Sequence, residues 1–342
     1  QPGLLKPLIG TGEVQAASDA VSSNVDEYWG EDWKSYGTED GTFYAAPMLA
    51  NLKGYVWYSP AKFAEWGVEV PKTLDELMTL TATIQQKTGA APWCAGFASD
   101  AASGWPGTDW VEDMVLRLSG PDVYDQWVAN EVPFTDPKIK AAFDAVGDIL
   151  LNPSYVNAGF GDVSSINSTA FADVAAKVAD GSCPMTHQAS FLSANFLTVT
   201  NAAGQTPTIA PDGDVYAFLT PGVTEGELAV EGGGEFVAAF SEDESVQKVV
   251  EYMSSPEFAD ARVKLGGVIS ANKGADPSLA SSEFLTEAMK TLQDPNTTLR
   301  FDASDLMPAT VGSGSFWKGM VSWIDGTPTD QVLSDIQAGY DN

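Results

Sequence analysis

Apolar residues recur at three- and four-residue intervals in several stretches of the chain, and short apolar or aromatic runs bounded by Gly or Pro fall between them. Leu74, Leu77, Met78, Thr81 and Ile84 share one helical face. Thr73 is placed to cap that helix, Asp75 and Glu76 sit at its positive end, and it ends near Gly89. Asp136-Pro137 opens a second helix with Ile139, Ala142, Phe143, Val146, Ile149 and Leu150 in register, since the missing N–H of proline costs nothing in a first turn. Phe171, Val174, Ala175 and Val178 predict a third. Val246, Val249, Val250 and Met253 predict a fourth, broken before Pro256, and Phe284, Leu285, Ala288, Met289 and Leu292 a fifth. Strands are predicted over 42–46, 54–58, 215–219 and 235–240, each short and rich in β-branched or aromatic residues. The Gly-, Pro-, Thr- and Asn-rich stretch 201–213 is a loop, and no internal repeat occurs. Helices alternating with short strands predict an α/β protein.

With 342 residues, 44% of them hydrophobic, the chain can bury a sizeable core, and its length favours two compact units over one. Charge narrows the partners. Against 17 Lys+Arg stand 47 Asp+Glu, a formal charge of -30 that repels nucleic acid and anionic lipid surfaces while keeping the chain soluble. No run of 18 apolar residues occurs, and the first ten residues carry neither the basic start nor the apolar stretch of a signal peptide.

Catalytic patterns are scarce. Gly232-Gly233-Gly234 and Gly312-Ser313-Gly314 lack phosphate-loop or dinucleotide spacing, and no G-x-S-x-G surrounds a serine. The single histidine, His187, fits a structural role, and with only Cys94 and Cys183 beside it no zinc site of the usual N/S type can be assembled. The two cysteines are either a disulfide, which persists in an oxidising compartment, or two buried thiols. A glycosidase needs two opposed carboxylates, which so acidic a chain could supply.

Ten tryptophans are many for one chain, and some fall outside any helical stripe. Trp29, Trp33, Trp57, Trp66 and Trp127 are expected as core. Trp105 lies in a turn, Gly104-Trp105-Pro106-Gly107, ahead of a helix whose buried stripe is Val111, Met114, Val115 and Leu118. Asp109, three residues before Glu112, has capping-box spacing and is equally suited to bind a ligand. Phe316, Met320 and Trp323 share a helix face, which turns Trp317 away from that core. A sugar is a natural partner for such residues. Its apolar C–H face stacks on an aromatic ring, and its hydroxyls need the paired donors and acceptors of amides and carboxylates.

Several segments resemble the carbohydrate-binding extracellular solute-binding proteins of ABC importers, the group that includes maltodextrin- and α-glucoside-binding proteins. They are Gln1-Pro2-Gly3-Leu4-Leu5, Tyr44-Ala45-Ala46-Pro47 leading into Val56-Trp57-Tyr58-Ser59-Pro60, Pro71-Lys72-Thr73-Leu74-Asp75-Glu76-Leu77, and Phe316-Trp317. Pro92-Trp93-Cys94-Ala95-Gly96 and the segment from Gly104 to Trp110 are similar to the α-glucoside-binding branch in particular. There the cysteine pairs with one just before a Met-x-x-Gln segment, here Cys183 ahead of Met185 to Gln188.

The resemblance implies a two-lobe periplasmic-binding-protein-like fold of type II. One lobe would hold 1–50 with 235–302 and the other 51–234 with 303–342, with crossings near 50–54, 233–236 and 302–308. It implies no catalysis, cofactor or metal, and a monomer that hands an oligosaccharide to membrane permease subunits from outside the cytoplasmic membrane, as a lipid-anchored exported protein. Carried over position by position, the stacking aromatics are Trp105, Phe191 and Trp317, the polar contacts Asn51, Lys53, Asp109 and Gln188, and the backbone contacts Gly233 and Gly234. The first residues resemble a mid-lobe segment, so the first lobe is expected to lack its opening strand-helix-strand unit and to expose a sheet edge. A carbohydrate-active enzyme and a lectin-like module are the competing classes.

Overall fold

The computed structural model describes residues 2–157, 160–226 and 229–341; Gln1 of the opening motif lies outside them. The architecture is mixed α/β. A small hairpin, β1 (Thr38–Glu39) and β2 (Thr42–Phe43), leads into β3 (Ala45–Leu52) and then β4 (Tyr55–Tyr58). Farther along come β5 (Met185–Gln188), β6 (Tyr216–Leu219), β7 (Ala229–Ala238) and β8 (Thr298–Phe301). They form two three-stranded sheets, ordered β3-β7-β8 and β5-β4-β6. In the first, β3 and β7 are antiparallel and β7 and β8 parallel; in the second, β4 is central and antiparallel to both neighbours.

All four residues of β4 are buried, because a strand sends successive side chains to opposite faces and both faces of this one are covered. Val56 and Tyr58 enter a core with Leu77, Ile84, Phe143, Phe316 and Trp323. Tyr55 and Trp57 enter a second core with Val25, Trp29, Phe196, Phe284 and Phe301. The sheets are joined by two residues, Lys53 and Gly54. Gly54 has φ +74°, and a Cβ there would lie 2.8 Å from Asp113 Oδ1, so the join needs glycine for its conformation and for space.

Most helical stripes form as expected. The helix Leu74–Thr88 starts where Thr73 Oγ1 accepts the Glu76 N–H at 3.3 Å and stops at left-handed Gly89. Asp136 caps Pro137–Leu150 by accepting the Lys138 N–H at 2.8 Å, and all six stripe residues of that helix are buried. Four expectations need correction. Asp109 is no cap: the helix Trp105–Val128 begins at Gly104, whose φ of +105° breaks the preceding chain, so Asp109 lies inside the helix. Leu118 and Val249 are 38% and 55% exposed, left uncovered by the described residues. Phe171 precedes the helix Val174–Ala179 instead of sharing its stripe. The strand expected at 235–240 runs over 229–238 and takes in the glycines, since Gly234 lets the Trp33 ring approach within 2.6 Å of where a Cβ would stand.

The cysteines form a disulfide, Cys94–Cys183. Trp29, Trp33, Trp57 and Trp127 are core residues, and Trp66 is half-buried. Among the described residues no helix is long and apolar enough to cross a membrane.

Candidate ligand-binding site

The segments 50–54, 233–236 and 302–308 lie side by side. Asn51 pairs with Gly233 and Ala50 with Gly234 across β3 and β7, and the Asp302 N–H donates to Gly232 O at 2.8 Å. Beside them, Trp105 leaves the turn at Gly104. Its ring centroid is 5.1 Å from Phe171 and 5.9 Å from Phe191, which are 6.3 Å apart, and all three rings are half-exposed. Trp317, also half-exposed, starts its helix against the same turn. The bare Cα of Gly104 admits its carbonyl oxygen to 2.1 Å from where a Cβ would be. The indole Nε1 of Trp317 is buried without an acceptor.

Asn51, Phe191 and Gly234 line one cavity of about 160 Å³ together with Leu49, Ser190 and Glu235. Asn51 Oδ1 is buried with no donor, an acceptor that a hydroxyl could meet. A roomier groove of about 810 Å³, lined by Trp29, Lys34 and Lys273, lies away from all the expected contact residues. Gln188 is buried on β5, and its Oε1 accepts the Ala189 N–H at 2.8 Å, so half of its amide is already occupied. Gly233 packs on Asn51 and Lys53, with Lys53 Cε 3.3 Å from its Cβ position.

Lys53 is deeply engaged. Its Nζ donates to Asp109 Oδ1 at 2.8 Å and to Asp302 Oδ2, stands 3.9 Å from Glu231 Oε1, and lies 5.9 Å from the centre of the Trp105 ring. Burial opposes its charge, but Asp109, Asp302 and Glu231 outweigh burial and hold its pKa well above the ordinary lysine value. Burial pushes Asp109 up to about 7 even though Lys53 pulls the other way. Glu112 and Glu231 are likewise raised by burial first and by their acidic neighbours next. Asp302 is lowered: burial acts against its charge, but Lys53 and donors from Asp305 and Ser304 prevail.

The carboxylate oxygens of Asp109, Glu112, Glu231 and Asp302 come within 4.8 Å of one another, which is ligand spacing for a hard cation. The Lys53 ammonium, bonded to two of these carboxylates and 3.9 Å from a third, does the work such a cation would do. A second network adjoins it. Asp113 accepts from Arg117 Nη2 at 2.6 Å and meets His187 Nε2 at 3.1 Å, and the His187 ring lies over Trp110 with centroids 4.5 Å apart. Burial works against the Asp113 charge, but Arg117 and His187 overcome it and lower its pKa. His187 is thus a buried structural residue, although its Nδ1 has no partner.

Sequence reasoning singled out Lys53 and Asp109 but missed Phe171 and the other partners of Lys53, Asp302 and Glu231. The signal for part of it was there: Asp109, Glu112 and Asp113 stand at i, i+3 and i+4, three acids on one face amid the apolar residues Trp110, Val111, Met114, Val115 and Leu116. Glu231 and Asp302 carry no such pattern, because topology alone brings β7 and the end of β8 beneath that helix.

Solved solute receptors share this architecture. A chitin oligosaccharide binding protein superposes with a TM-score of 0.78 at 17% identity, covering 98% of this chain and 80% of its own. The bacterial solute receptor AcbH gives 0.75 at 18% identity, covering 98% and 81%. The fold is therefore periplasmic-binding-protein-like. The chain belongs to the bacterial extracellular solute-binding protein family, whose pattern matches residues 3–291. Its relatives include the osmoprotective compounds-binding protein GgtB of Synechocystis, 33% identical over 99% of this chain and 78% of that one. The alpha-glucosides-binding periplasmic protein AglE of Rhizobium meliloti is 32% identical over 100% and 74%.

Proposed function

We propose that the chain captures a small neutral sugar, an α-glucoside or a close chemical relative, and delivers it unaltered to the permease of an ABC importer. The observation that carries this reading is the half-exposed trio Trp105, Phe171 and Phe191 beside a cavity holding the unpaired acceptor Asn51. Rings offer a stacking surface and the amide meets hydroxyls, which is the division of labour a pyranose needs. Similarity to AglE supports a glucoside, and nearly equal similarity to GgtB keeps osmoprotective compounds among the candidate ligands.

The ligand lies between two lobes, 1–50 with 235–302 and 51–234 with 303–342, that close about the adjoining segments 50–54, 233–236 and 302–308. Closure is favoured because only then do both lobes touch the sugar. Trp317 completes the aromatic wall. The protein acts as a monomer outside the cytoplasmic membrane, held there by a lipid anchor; the disulfide supports an oxidising location. Calorimetric titration with maltose, trehalose, sucrose and methyl α-glucoside tests the reading, followed by chromatography of the recovered sugar. Binding of one of them with the sugar returned intact supports it; binding of none, or cleavage, refutes it.

A further inference from the structure

Four carboxyl groups and one ammonium are buried together where 50–54, β7 and the end of β8 meet the helix Trp105–Val128. Were all four ionised, three negative charges would stay uncompensated in a place water does not reach, so the cluster must hold protons. The hydrogen bonds say where. Glu112 accepts from two backbone donors, the Ala303 N–H at Oε2 (3.0 Å) and the Ser304 N–H at Oε1 (3.2 Å). Asp302 accepts from Lys53, from the Ser304 hydroxyl and from the Asp305 N–H, and Asp109 from Lys53. Glu231 differs from all of these. It is 0% exposed, neither of its oxygens meets a donor among the described residues, and the Lys53 ammonium stays 3.9 Å away. A carboxyl oxygen of Glu231 lies within 4.8 Å of one of Glu112.

A carboxylate without donors beside another carboxylate is untenable, whereas a neutral acid donating to it satisfies both groups. We propose that Glu231 is a buried proton site, a neutral acid at physiological pH whose O–H donates to Glu112, and that this proton holds β7 to the helix Trp105–Val128 so that the seam loosens in alkali. The other charged groups around Glu231 are Lys53, Asp109 and Asp302, with Asp305 beyond them. Arg300, its register partner on β8, is bonded to Asp125, and the Tyr124 hydroxyl donates to Phe301 O, so neither supplies Glu231 with a donor. The inference does not depend on the sugar reading.

The sign follows from linkage. An acid whose folded pKa lies above its unfolded value binds an extra proton when folded, so its contribution to stability falls as pH rises between the two. Glu231→Gln copies the neutral acid and removes that dependence. Melting curves of wild type and Glu231→Gln from pH 5 to 8 are expected to start level and to separate in favour of the variant by about 2 °C per pH unit. Glu112→Gln, which puts an N–H₂ against a backbone donor, is expected to melt several degrees lower throughout. A constant difference for Glu231→Gln, or a larger loss for it than for Glu112→Gln, overturns the proposal. Infrared spectra give a second readout should Glu231→Gln fail to fold. In an Asp109→Asn background, which removes the other carboxyl that titrates near pH 7, the protein at pH 7 is expected to show the C=O stretch of a neutral carboxylic acid, converted to carboxylate absorption in alkali, and its absence at pH 7 equally overturns the assignment.

Discussion

Replacing Lys53 by Met keeps the bulk of the side chain and deletes the only cation among the described residues that is bonded to Asp109 and Asp302. Asp302 retains the Ser304 hydroxyl and the Asp305 N–H, each at 2.8 Å, so it stays partly satisfied. Asp109 retains no donor among the described residues: Oδ1 loses its donor and Oδ2 has none there. Removing one partner of a buried pair costs about 3 to 5 kcal/mol, which for a chain of this size lowers the melting midpoint by about 4 to 7 °C. The penalty belongs to the ionised form of Asp109, which ionises in the folded wild type only near pH 7. At pH 5 that carboxyl is neutral in both proteins and the lost ammonium matters less; by pH 8 it ionises in wild type, whereas in the variant, with no Lys53 to lower its pKa, it keeps its proton, and the gap widens. Thermal and urea unfolding of wild type and Lys53→Met at both pH values measure the gap. A deficit of equal size at pH 5 and pH 8 would refute the assignment of the cost to Asp109, and no deficit would refute the pairing itself.

Asp109→Asn is expected to remove one proton's worth of pH dependence: the raised acid makes wild type less stable as pH climbs from about 4 to about 7, and the amide does not titrate, so unfolding curves across that range should diverge. Trp105→Ala and Trp317→Ala should each weaken affinity for the bound sugar by about 30-fold, roughly 2 kcal/mol, with an almost unchanged melting midpoint; calorimetry that finds both affinities intact removes the aromatic wall. Reduction of Cys94–Cys183, 89 residues apart, should cost about 4.6 kcal/mol on the loop-entropy scale, seen as a lower midpoint after dithiothreitol. Gly54→Ala should destabilise by more than about 1 kcal/mol, since a methyl there meets Asp113 and disturbs its bonds to Arg117 and His187.

Helices were readable in the sequence because burial on one face leaves a period, and the stripes at Leu74–Thr88, Pro137–Leu150 and Glu283–Gln293 are unbroken. Exposure of Val249 was not readable, since an apolar residue at the right spacing gives no sign of whether a neighbour covers it. Strands β5 and β8 went unpredicted: Met185–Gln188 is polar in three of its four positions, and Thr298–Phe301 gains its place only by pairing with β7. At the site, Trp105 and Trp317 announced themselves by standing outside helical stripes, whereas Phe191 came only with the family resemblance and Phe171 was hidden in an apparent stripe. The ionic cluster did not, because a polar residue buried by long-range topology looks in sequence like any surface acid.

The alternation along β4 has a further consequence for how this chain can tolerate change. Tyr55 and Trp57 serve one interior, Val56 and Tyr58 the other, and only Lys53 and Gly54 separate this strand from β3. Inserting or deleting a single residue at that join would shift the strand's phase by half a period and deliver an indole to the pocket shaped for a valine. Substitutions can accumulate on either side of the join, but length there is held fixed by two interiors at once.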